Sequence, residues 1–143
     1  MNGSMSFQER NAKASKGEML FEQYCKDQQY EAIGIGFDQT NGKVSRFYNL
    51  NPMLRNVPDY VVNTDRFTFV VMVKGTANIK KSEIDLIPLF LEWYSTKKAP
   101  LVYAFCFDGC RPKVMFPDRV IQLYNQSADK VWHDGVVYRS LEI

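Results

Sequence analysis

The chain has 143 residues, 45% of them hydrophobic, which suits one domain of ordinary size around a single core. No apolar run approaches the ~20 residues a bilayer requires and the N-terminus has no hydrophobic stretch of signal-peptide type, so the expectation is a soluble, cytoplasmic protein with no membrane partner. A formal net charge of +2 neither demands nor excludes a nucleic-acid partner, so the positions of the lysines decide more than their number.

Residues 1–14 are polar and small, with no apolar period, and are expected to be a disordered tail or expression remnant ahead of a single domain over 15–143. From Ser15 the pattern turns helical for about four turns: Met19, Leu20 and Tyr24 recur at helical spacing, with Ser15 as N-cap and Glu18 closing a capping box. Glu31–Phe37 reads as a strand, and Asn41-Gly42 predicts a tight antiparallel hairpin into Lys43–Tyr48. A loop over Asn49–Asn56 precedes two further strands, one ending near Asn63 and one near Gly75. A second helix follows, capped by Ser82 or Asn78, with Ile84, Ile87, Phe90, Leu91 and Tyr94 on one stripe and Pro88 as a kink. Pro100–Phe107 is a continuous apolar strand of the kind found inside a sheet. Lys113–Phe116 is a candidate strand, Pro117-Asp118 opens a short helix through Tyr124, and Asp134-Gly135 marks a C-terminal hairpin over Val131–Tyr138.

Candidate chemistry gathers at the strand pair. Asp59 and Lys74 lie beside two adjacent apolar segments, and Met72 shares a strand face with Lys74 because side chains alternate. An acid in the leading helix, Pro58-Asp59, and a strand ending Met72-Val73-Lys74 occur in that order. This order resembles the core of the PD-(D/E)XK nuclease superfamily, which includes restriction endonucleases, Holliday-junction resolvases and phage and repair nucleases. The likeness spans roughly Gly17 to Phe107. It implies an α/β fold in which helices flank a mixed, restriction-endonuclease-like central sheet, followed here by the C-terminal β-hairpin. It also implies a magnesium- or manganese-dependent endonuclease acting on DNA, in a phage or bacterial setting, and a possible homodimer.

The resemblance further implies the roles. Asp59 would be the principal metal ligand, a main-chain carbonyl near Val73 a second, and Glu18 a helper, while Lys74 would stabilise developing negative charge. Met72 stands where the family carries its second acid. A thioether is soft and uncharged, a poor ligand for magnesium, so metal binding should be weakened unless an acid arrives from elsewhere. Glu18, Glu22 and Glu83 are the donors considered. Three readings stay open: a nuclease with a migrated acid, a nuclease-fold module that binds nucleic acid or a protein without cutting, and a disabled site. A fourth, from another class, is a small α/β interaction module that recruits a protein by strand addition.

Lys74, Lys80 and Lys81 are candidate phosphate contacts, since a polynucleotide backbone would have to pass them. Each residue also has an ordinary reading. Asp59 after Pro58 is a turn opener, Glu18 a capping acid, Glu83 a first-turn acid favoured by the helix dipole, and Met72 core packing. Trp93, Tyr94, Phe105 and Phe107 are expected in the core, and His133 is read as structural. Cys106 is read as a small buried hydrophobe, and the odd cysteine count without a second close pair argues against zinc and for a reducing compartment.

Overall fold

The computed structural model describes residues 7–35 and 56–143. Five strands form a mixed sheet in the order β1 (Glu31–Gly34), β2 (Tyr60–Asn63), β3 (Thr68–Lys74), β5 (Leu101–Phe105) and β6 (Lys113–Met115). Only β3 and β5 run parallel, with Met72 opposite Tyr103 and Lys74 opposite Phe105. The other neighbours are antiparallel. A second sheet of three strands pairs β4 (Asn78–Lys80) with β8 (Val137–Ser140), and β8 with β7 (Lys130–Val131). The helices among the described residues are α1 (Phe7–Asp27), α2 (Lys81–Tyr94) and α3 (Pro117–Asn125). The protein is therefore a mixed α/β structure.

Alternation along β3 and β5 divides the core into two layers. Val71, Val73, Val102, Ala104 and Cys106 face α1, where they pack with Phe21, Cys25 and Tyr60. Met72, Leu101, Tyr103 and Phe105 face the other way, against Ile87 and Phe90 of α2 and Val120 and Leu123 of α3. Burial on both faces explains why β5 is apolar at every position. The crossover between the parallel strands passes through β4 and α2, returning the chain to the sheet with Leu101 beside Val70, near the start of β3.

Two differences from the expected pattern concern the helices. Residues from Phe7 to Ala14, expected in the tail, form the first turns of α1, so Ser15 is a mid-helix residue and Glu18 does not close a capping box. Gln8, Glu9, Arg10, Ala12 and Lys13 favour helix, and Arg10 is anchored by Trp132 and Asp134 far along the chain, a contact no local pattern reveals. At α2 the N-cap is Lys80, without a side-chain cap bond, and Asn78 belongs to β4. Trp93, expected in the core, is 60% exposed because Ile87 and Phe90 fix the buried face of α2 elsewhere. The Asn41-Gly42 hairpin lies outside the described residues, and the described partner of β1 is β2.

The docking of α1 onto the sheet depends on two glycines. A Cβ on Gly75 would lie 1.9 Å from the Lys13 carbonyl oxygen, and one on Gly17 would lie 2.6 Å from the Gly75 Cα. Both obstacles are backbone, which cannot swing away as a side-chain tip can. The helix therefore crosses the chain immediately after Lys74 at backbone contact distance. Gly75→Ala is expected to cost about 3 kcal/mol or more, lowering the thermal midpoint by roughly 6 °C or more. Gly109, whose positive φ is its only requirement and whose surroundings are open, should tolerate alanine better. Equal losses for the two variants in a thermal melt would contradict this account of the helix docking.

Candidate functional site

Three segments converge where β3 ends. The backbone N–H of Asp59 donates to the Val71 carbonyl at 3.0 Å, and the Asp59 carbonyl accepts from Ile35 N–H at 2.9 Å, which extends the β1–β2–β3 pairing by one residue. Beyond it, the Asp59 carboxylate replaces a backbone acceptor: Val73 N–H donates to Oδ2 at 2.8 Å. Asp59 is thereby fixed over the end of β3 by main-chain groups on both sides. A cavity of about 190 Å³ opens there, lined among others by Glu18 from α1, Asp59, Met72, Val73, Lys74 and Glu83 from α2.

Lys74 forms an ion pair with Glu83, whose side chain is mostly buried. The geometry follows from chain length: β4 occupies three residues, α2 begins at once, and Glu83 falls in its first turn, which faces back across Lys74. Beside this pair lies Tyr103, fully buried, with no hydrogen bond of normal geometry to its hydroxyl. Burial first, then the Glu83 and Asp59 carboxylates, push its ionisation well above the ordinary tyrosine range. Tyr103 therefore stays a neutral O–H donor beside two acids, and an acceptor for it would remove a cost of about 1–3 kcal/mol.

The residues singled out in the sequence separate accordingly. Asp59, Glu18, Val73, Lys74 and the substituted position Met72 all reach the cavity. Of the acids weighed as donors, Glu83 reaches it too, while Glu22 accepts a hydrogen bond from the Tyr60 hydroxyl at 2.8 Å, on the α1 side of the sheet. Lys80 lies within electrostatic reach of Lys74 and Glu83, and burial, then Lys74, lower its pKa, although the residue as a whole is exposed. Lys81, the third expected phosphate contact, is exposed, pairs with Asp85 along α2 at 3.0 Å and is not among the residues lining the cavity. His133 is exposed in the C-terminal turn, away from the cavity.

Glu83 was legible as a first-turn acid and as one of three acids able to replace the missing one, but its pairing with Lys74 was not, because that depends on the short β4, whose three residues carry no periodic signal. Tyr103 was hidden inside an apolar run. A second cavity, about 150 Å³ and apolar, lies under α1 against Phe21, Cys25 and Val102. Cys25 is pushed up to about 11 by burial and then Glu22, and Cys106 to about 12 by burial and then Cys25, so neither offers a thiolate near neutral pH.

The donors around the first cavity are carboxylate oxygens, which suit a hard divalent cation in kind. Among the described residues no three His, Cys, Asp or Glu side chains are grouped closely enough to form a ready metal cage. Magnesium ordinarily uses one or two carboxylates and keeps several waters, so the residues present fit that limited demand. Comparison of the chain with protein-family models, with curated proteins and with solved structures gives no match.

Two outcomes are expected from this geometry. Lys74→Ala leaves Glu83 largely buried without its cation and should cost about 1–2 kcal/mol, whereas Lys81→Ala, at an exposed pair, should leave the denaturation midpoint unchanged. Equal effects would mean that the Lys74–Glu83 pair is only a surface contact. In a thiol titration, the exposed Cys110 alone should react in the native protein and all three cysteines after unfolding; rapid native reaction of Cys25 or Cys106 would contradict their burial.

Proposed function

We propose that this chain is a metal-dependent nuclease of PD-(D/E)XK type, acting on DNA, in which Glu83 supplies the acid that Met72 does not. The observation that carries the reading is the entry of Glu83 into the same cavity as Asp59, Lys74 and Met72. The mixed sheet, with α1 on one face, α2 and α3 on the other and the site at the end of β3, is compatible with the restriction-endonuclease-like arrangement.

In this reading Asp59 and Glu83 hold the cation, with Glu18 within the same cavity as a further oxygen donor. Magnesium or manganese, when bound, polarises the phosphate and lowers the pKa of the attacking water. The Val73 N–H holds Asp59 Oδ2, which orients the carboxylate at the edge of the cavity it lines. Tyr103 keeps its proton and stands as a neutral O–H beside Glu83. Lys74 is drawn from Glu83 toward the phosphate and stabilises the negative charge that develops on its oxygens. Met72 packs beneath them and contributes no donor.

A second reading, a nuclease-fold module that binds nucleic acid without cutting, is favoured by the thioether of Met72 in the cavity and by the lack, among the described residues, of a close grouping of three metal-binding side chains. Cleavage of plasmid, linear and branched DNA in manganese separates the two. The expected result is cleavage by wild type and by Met72→Leu, with Asp59→Ala and Glu83→Gln each reduced on the order of 100-fold or more. Cleavage only by Met72→Glu would show that Glu83 does not replace the missing acid, and no cleavage by any of them would favour the binding module.

A further inference from the structure

Arg10, Ala14 and Glu18 recur every four residues on one face of α1. Ala14 and Glu18 line the cavity; Arg10, a turn further on, lies beyond it against the C-terminal hairpin. Its guanidinium carbon sits 4.1 Å from the Trp132 ring centroid, and it forms an ion pair with Asp134 in the turn. Trp132 in turn stacks on Tyr138, with centroids 4.0 Å apart and planes 10° from parallel. Tyr138 stands directly opposite Lys80 in the antiparallel β4–β8 ladder, and opposed residues share a sheet face. Lys80 thus leaves the small sheet on the face to which Arg10 is docked, three residues before Glu83 and beside the cavity.

The charges at this edge are unevenly matched. Lys74 is held by Glu83 and Arg10 by Asp134, while no ion pair or hydrogen bond among the described residues engages the Lys80 ammonium. Lys74 and Arg10 both disfavour the charged form of Lys80, after the larger effect of burial, and Glu83 and Asp134 only partly offset them. Three cations brought together by a built stack, with one left unengaged, form a site that an anion would stabilise.

We propose that Lys80, flanked by Arg10 and Lys74, is the centre of a second phosphate-binding site, for the phosphodiester next to the one taken into the Asp59–Lys74–Glu83 cavity. The identity of the anion as nucleic-acid phosphate rests on the nuclease reading. The C-terminal hairpin supports both sides of this site. Through β8 it holds β4, and through Trp132 it holds Arg10, so the site exists only when the small sheet is assembled.

The test is binding of a short fluorescent DNA duplex, without divalent metal so that nothing is cut, over a range of salt concentrations. Lys80→Gln is expected to weaken binding roughly 5- to 10-fold and to reduce the slope of log affinity against log salt by about one, as loss of one phosphate contact should. Lys80→Arg should bind within about twofold of wild type, as should Lys81→Gln, whose side chain turns away. Thermal midpoints of all variants show whether folding is intact, and the arginine variant keeps the test valid should the glutamine variant fold poorly. Equal loss for Lys80→Gln and Lys81→Gln, an unchanged salt slope, or no DNA binding by wild type would overturn the proposal. The cavity reading is judged separately by manganese cleavage. Absence of cleavage with a Lys80-selective loss of binding removes the nuclease and leaves the phosphate site, whereas cleavage with unselective binding does the reverse.

Discussion

Backbone contact between α1 and the end of β3 is the constraint from which the site follows. Gly17 and Gly75 let the helix approach until main chain meets main chain, and no other residue type provides that space. The contact fixes both the height and the rotation of α1. Glu18, one residue after Gly17, is therefore carried into the cavity beside Lys74, which precedes Gly75. The same rotation sends Arg10 toward the C-terminal hairpin and Phe21 and Cys25 into the core. A helix docked on larger side chains would stand farther from the sheet and leave Lys74 without a wall on that side.

A second constraint is the acceptor role of Asp59. Its carboxylate completes the hydrogen bonding of β3 at Val73, where a backbone carbonyl would otherwise accept. One oxygen is engaged by the main chain of β3 and the carboxylate lines the cavity, so a structural bond orients the acid. Glu83 has the opposite character, since its partner is a side-chain ammonium, that of Lys74, rather than main chain. A phosphate that attracts Lys74 would release Glu83 at the moment when a cation needs it. Met72 is accommodated because Phe90 and Tyr103 lie in the same apolar cluster, and a thioether packs there at little cost.

Much of this arrangement was legible in the residues. The strands ending at Asn63 and Lys74, the apolar β5, the amphipathic α2 and the Asp134-Gly135 turn all follow from periodicity and turn chemistry, and they coincide with the elements present. Asp59, Lys74 and Glu18 meet as expected from their order along the chain. What escaped depended on contacts distant in sequence. The early start of α1 depends on Arg10 meeting Trp132, β4 forms because β8 is there to pair with it, and Glu83 faces Lys74 because β4 is short. Trp93 shows the limit of hydrophobicity as a guide: a large aromatic on a helix can stay in solvent when two neighbours already fill the buried face.

The central claim is that Asp59 and Glu83 together hold a divalent cation in the absence of an acid at position 72. Titration of manganese into the protein, followed by the loss of the free-ion signal in electron paramagnetic resonance, measures this directly and without a nucleic-acid substrate. The account predicts binding at one site in wild type that Glu83→Gln and Asp59→Ala each abolish and that Met72→Leu leaves unchanged. Wild-type binding that survives Glu83→Gln, or no binding at all, would contradict it.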